Sequence, residues 1–283
     1  MKAARTLAAL TLALTVAPAL APALAPAVAR AEPRFDWRRI YMRGGVARVA
    51  TLEQSREMEL ADIDGAASLA VQDGPIAGSG AALSSSTIPL IVVGYRLRAM
   101  QGRLSVEMLL GTPPTVKFSA TGTLANESIA PMALGIPTGV PALGAELGEA
   151  QALPVVATLV YQIRQRGPVL PYAGAGPAVL IARNAKITNP ILSEVGQPEF
   201  SIPPAPGLVL QAGVDIKLWK QVYARFDAKF IAGMLARASV KHTQVRTPTL
   251  PLFETVEVGT AKMTAWVNPL ILLASVGFDF TML

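Results

Sequence analysis

The chain has 283 residues, 52% of them hydrophobic, a formal net charge of +6, no cysteine and one histidine. Without cysteine there is neither a disulfide nor thiolate chemistry, and one histidine cannot build a histidine-rich metal site. Residues 1–31 carry Lys2, Arg5 and Arg30 and no acid, so the remainder holds only +3, which gives nucleic-acid binding little support.

Lys2 and Arg5 precede an apolar run from Leu7 to Val16, and a Pro/Ala tract then ends in Ala29-Arg30-Ala31. A basic start, an apolar stretch and an Ala-x-Ala site describe a secretory signal peptide over 1–31, cleaved before Glu32. Pro18, Pro22 and Pro26 break the run, which is short for a spanning helix, so it does not read as an anchor. Residues 32–283 form one domain. They are strongly apolar, yet contain no 18-residue apolar helix candidate. Alternating strands that face lipid on one side reconcile the two facts.

Eight strand-like segments follow, near 39–50, 87–98, 103–112, 153–164, 169–182, 207–218, 222–236 and 264–280. Most have about ten residues, enough for a tilted strand to cross a bilayer. Met100-Gln101-Gly102, Gln165-Arg166-Gly167 and Lys220-Gln221 mark tight turns, whereas the other connections are long. The expectation is an all-β, up-and-down, eight-stranded antiparallel transmembrane β-barrel with short periplasmic turns and long extracellular loops. The first long loop, with Glu53, Glu57, Glu59, Asp62 and Asp64, reads as polar and mobile. The second, with Met132, Leu134, Ile136 and Val140, is too apolar for a freely solvated loop. It either covers the barrel mouth, lies along the outer leaflet or has a small core of its own.

No nucleophile elbow, zinc-protease helix motif or phosphate-binding loop occurs, and His242 falls in an outer loop. Charges within the strands are more informative. A charge facing the bilayer midplane costs about 2–4 kcal/mol, so Arg225, Asp227 and Lys229 should point into the lumen. The same argument places Arg103, Glu107, Arg164, Asp215, Lys217 and Asp279 inside, all towards the periplasmic end. They would form a polar floor that either seals the barrel with ion pairs or conducts ions. Above it the inward parity turns apolar at Leu90, Leu109, Val156, Val160, Ile231, Leu235, Ile271 and Leu273. This upper lumen is either a dry core or a path for a small hydrophobic molecule, which could then leave only sideways into the bilayer. On the last segment Leu270, Leu272, Ala274, Val276, Phe278 and Phe280 make a lipid-facing stripe.

At this point the chain resembles the OmpW family of eight-stranded outer-membrane proteins of Gram-negative bacteria. MRGGVARVA, SVEMLLGTPP, LPVVATLVYQI, PYAGAGPAVL, LQAGVDIKL, YARFDAKFI and VNPLILLASVGFDF carry the resemblance, in that order. It implies passage of small hydrophobic solutes into the membrane, no enzyme activity and no cofactor. Outer-membrane lipid would surround the barrel. Phe278 and Phe280 match the family's closing aromatic pair, which implies an assembly signal read by the barrel-assembly machinery. Pro114 stands where the family usually has an aromatic, and Ala152 stands where it has a histidine. The rival readings are a non-conducting barrel whose loops bind a partner and a soluble, ligand-holding periplasmic barrel.

Overall fold

The structure is a computed structural model that describes residues 35–250 and 254–280. The expected signal peptide lies outside these residues. From Ile40 onward the chain runs up and down through eight barrel strands: β1 (Ile40–Ser55), β2 (Ser86–Arg96), β3 (Leu104–Gly111), β4 (Glu146–Gln162), β5 (Val169–Ile187), β6 (Ala205–Lys217), β7 (Val222–Ala232) and β8 (Thr260–Asp279). Each pairs antiparallel with its sequence neighbour, and β1 closes on β8 from Tyr41↔Asp279 to Ser55↔Ala265. Closure of β1 on β8 leaves no free sheet edge in the lower ring, so a chain without disulfides has the backbone polar groups of these ladders paired inside a bilayer.

Strict alternation explains why these segments adopt this form. On β8, Ile271 and Leu273 are buried inward, while Leu272, Val276 and Phe278 are 48%, 55% and 38% exposed on the outer surface. Met42, Ile91, Met108, Leu159, Leu210 and Phe226 repeat the pattern around the ring. Trp266 and Phe278 stand twelve residues apart on the same face of β8. At the strand rise and a barrel's tilt this is roughly 30 Å, the apolar thickness of a membrane.

Four strands are longer than their alternation suggests, because they continue above the membrane as part of a folded cap. Thr115–Gly122 prolongs the wall beside β4, and Ser79–Leu83 pairs with it. Leu235–Lys241 pairs with the upper half of β8, Glu199–Ser201 pairs with Leu235–Lys241, and Glu59–Ala61 takes the other edge of β8. The cap has its own apolar core, which includes Leu124, Val140, Leu143, Leu147, Leu192 and Val245. The apolar second loop thus folds over the mouth and shares its core with the other loops. The first loop is also built into the cap: Leu60 and Ala67 are buried.

Candidate functional site: an ion-paired floor beneath an apolar cavity

The lower lumen is filled by one ion-paired network. Arg225 holds Asp215 with two bonds, Nε to Oδ1 at 2.7 Å and Nη2 to Oδ2 at 3.0 Å, and its Nη1 donates to Glu107 Oε1 at 2.6 Å. Arg43 Nη2 reaches the same Asp215 at 3.1 Å, and Lys229 Nζ pairs with Asp227 at 2.5 Å. Gln211 Nε2 links Glu107 to Asp227, and Thr158 donates to the Gln211 carbonyl oxygen at 2.8 Å. The Tyr41 hydroxyl donates to Glu107 at 2.6 Å. Three cations meet three carboxylates, all at most 5% exposed. An ion is desolvated at a large cost unless it is paired and hydrogen-bonded, and here each has a partner.

Two inward tyrosines complete the floor, each lying over the glycine opposite it on the next strand. Tyr41 pairs with Gly94 and Tyr172 with Gly213. A Cβ at Gly94 would lie 2.1 Å from the Tyr41 ring, so glycine is what makes room there. The Arg43 and Arg225 guanidiniums stack on these rings, at 4.3 and 4.1 Å from the centroids of Tyr41 and Tyr172. Below the network, Arg96 pairs with Asp279.

Glu107, Asp215, Arg225, Asp227, Lys229 and Asp279 lie buried in the lumen, as does Gln211, which the alternation of β6 also turns inward, and Arg43 and Tyr41 join them. Arg103, Arg164 and Lys217 do not. β4 ends at Gln162, so Arg164 lies exposed in the turn beyond it; Lys217 is the last residue of β6 and is exposed at the barrel end; and β3 starts at Leu104, so Arg103 lies in the turn and donates to the Tyr161 hydroxyl at 3.2 Å. Arg43 was overlooked because it lies in a glycine-flanked run, MRGGV, whose inward parity is mostly small.

Above the floor, Leu90, Leu109, Val156, Ile231, Ile271 and Leu273 pack with Val92, Val209 and Met234 into a dry layer. Val160 is buried lower, beneath Thr158, and packs at the level of the floor. Leu235 pairs with Trp266, an outward position, and its inward place is taken by Met234, which is fully buried. The cause is Gly233, whose φ of +78° interrupts β7 and reverses the parity after it.

An apolar cavity opens on top of this layer, with about 1040 Å³ of space free of protein atoms counted out to solvent. Ala150, Ala152, Ala182, Ala236, Ala238 and Ala265 line it, together with Leu180, Val267 and Ile271. A second cavity within the cap shares Phe118, Ala238 and Met263 with it, and an outermost one shares Val258 with the second. Among the described residues, no ionisable side chain lines any of the three. The alternating alanines of QAL and ARAS were visible in the sequence, but small residues give a weaker signal than a leucine stripe.

The wall is incomplete beside this cavity. The β2–β3 ladder ends at Leu90↔Gly111 and the same register resumes at Ser84 and Lys117, joined by a Ser84 N–H to Lys117 carbonyl bond of 3.1 Å, just below Leu83↔Phe118. Across β4 the last pair is Val156↔Leu109, and pairing restarts at Gln151↔Thr115. Pro89, Pro113, Pro114 and Pro154 fall in the interval, and proline has no N–H to give a ladder. Pro114 is held there only through its carbonyl, which accepts from the Ala152 N–H at 2.9 Å. Pro114, Pro154, Ser84 and Ser86 face the cavity, so the interval is a window in the wall beside it.

The OmpW family model matches residues 40–280, nearly the whole described chain. The crystal structure of the outer membrane protein OprG from Pseudomonas aeruginosa is similar, with 17% identity and a TM-score of 0.63 over 84% of this chain and 94% of that one. The solid-state NMR structure of outer membrane protein AlkL aligns at 16% identity and a TM-score of 0.48, over 86% and 92%. A search of curated protein sequences gives no match. A ring of eight membrane-length strands, a sealed floor, a capped apolar lumen and a family match over nearly all of it lead to one conclusion: the chain belongs to the OmpW family and is a β-barrel of the Gram-negative outer membrane.

Proposed function

We propose that the protein is a passive conduit that takes small hydrophobic molecules from outside, through the cap, and releases them sideways into the membrane. The observation that carries this reading is the run of three adjoining cavities, which share lining residues and have no ionisable one among the described residues, above an ion-paired floor and beside the proline-rich interval. A polar solute would lose its hydration there with no partner, whereas an apolar one gains about 25 cal/mol per Å² on leaving water. The ion-paired floor bars the route to the periplasm, so the window at Pro113 and Pro114 is the way out. No energy source is needed, since lipid is at least as favourable as the lumen.

Uptake of a small apolar fluorescent probe into proteoliposomes tests this. Ala238→Trp, at the neck shared by two cavities, should slow uptake at least about tenfold while the barrel remains heat-modifiable on gels. Equal rates for this variant and wild type would rule the conduit out. The rival reading, a non-conducting barrel whose loops bind a partner, draws on Leu134 and Ile136 at the loop tip, 77% and 53% exposed. It predicts no protein-dependent uptake at all.

A further inference from the structure

The periplasmic rim carries charge that neither the floor nor the conduit uses. Residues 96–103, 163–169 and 216–221 hold seven basic side chains and no acid. The long outer segments, 48–85, 112–151, 183–204 and 233–262, hold thirteen acids against nine bases. The positive charge is therefore a property of one end of the barrel. Each short turn contributes a pair: Arg98 and Arg103, Arg164 and Arg166, Lys217 and Lys220. Among the described residues no carboxylate pairs with any of these six.

Each turn also presents a large apolar side chain to its surroundings: Met100 is 63% exposed, Ile163 54% and Trp219 76%. Cations beside exposed apolar groups suit the boundary between headgroups and acyl chains, where the stem lies in the apolar region and the charge reaches the surface. The first two turns converge on a groove of about 1240 Å³ counted out to solvent, lined by Arg103, Arg164 and Arg166 and by Ile163, Val169 and Pro171. Gln165 Nε2 donates to the Gln101 carbonyl at 3.0 Å and ties the two turns together across it. Tyr161, directly above on the lipid face, anchors Arg103.

We propose that this groove binds the headgroup phosphate of an anionic glycerophospholipid in the inner leaflet. Guanidiniums bind phosphate oxygens in a fixed, often bidentate geometry, and three of them meet here. The acyl chains would run up the barrel past Ile163 and Val169. A soluble anion would use the cations and leave the apolar side of the groove exposed, so the groove fits a lipid better than a free phosphate.

The protein in nanodiscs of equal phosphatidylglycerol and phosphatidylcholine, released and weighed by native mass spectrometry, gives the test. Wild type should retain the anionic lipid over the zwitterionic one by at least about tenfold, since each of the three cations favours an anionic surface by up to about fivefold. The variant Arg103→Gln/Arg164→Gln/Arg166→Gln should show a ratio near one, and the corresponding triple lysine variant should keep most of the preference. All six side-chain changes are at the barrel end, and heat-modifiability checks that the barrel is intact. No preference in wild type, or the same preference in the glutamine variant, would overturn the proposal. So would co-sedimentation with peptidoglycan without any lipid preference, which would assign the rim to cell-wall carboxylates' polymer instead.

Discussion

Arg225 is the residue on which the floor converges, since it touches two carboxylates and one ring at once. We expect Arg225→Met to cost about 3–5 kcal/mol, because Asp215 and Glu107 would be left as buried, under-paired charges. Chemical unfolding in detergent measures this. Changing the whole linked group, with Glu107→Leu, Asp215→Leu and Arg43→Met added so that no cation is left without its partner, should recover much of the loss, since an apolar replacement of a buried ion cluster is often close to neutral. Gly94→Val should be at least as damaging as Arg225→Met: its side chain would occupy the space of the Tyr41 ring, which is 3% exposed and has nowhere to move. Most of this network was legible, because a charge in a membrane strand has only one tolerable direction. Arg103, Arg164 and Lys217 went astray for a plain reason. Parity tells which way a side chain points but not where the strand ends, and at the rim a charge has water on every side.

Among the elements, β8 and the β2–β3 seam differ most in what they ask of the sequence. β8 pairs with β1 and β7 along its lower half and carries Phe278 and Phe280 at its end, the rings 5.1 Å apart. We expect Phe280→Ala to lower the yield of inserted barrel several-fold, read as heat-modifiable protein in outer-membrane fractions. Deleting residues 281–283, which lie beyond the described part, should leave the yield unchanged. At the seam the prediction runs the other way. Pro113→Ala/Pro114→Ala restores two N–H donors, so the ladder can close, and apolar-probe uptake should fall while stability rises. Higher uptake in that variant would mean the window is not the exit. The eight strands were recoverable from alternation and turn residues alone. What alternation missed is Gly233, where a positive φ shifts the parity and sends Leu235 outward. A glycine in a strand pattern is consistent with either a bulge or a close approach, and only the fold distinguishes them.

For the whole molecule, the cap was the least legible part. Its core draws Leu124, Leu143, Leu192 and Val245 from three different loops, and such contacts leave no periodic trace in any one of them. On the proposed function, that core forms the outer half of the path, so passage should depend on the loops as much as on the barrel. Cleaving the cap with protease on whole cells should change uptake without releasing the barrel from the membrane, a comparison that separates the two halves.

The neutral floor has an electrical consequence. With three cations locked to three anions across a lumen that side chains already fill, the barrel offers no hydrated path from one side to the other. A cell could therefore hold many copies without shunting the ion gradient across its envelope or admitting small hydrophilic antibiotics. In a planar bilayer we expect no ohmic current from wild type, and discrete openings once Arg225 and Glu107 are both replaced by alanine. On the proposed function, a membrane rich in this protein admits oil and remains an insulator to salt.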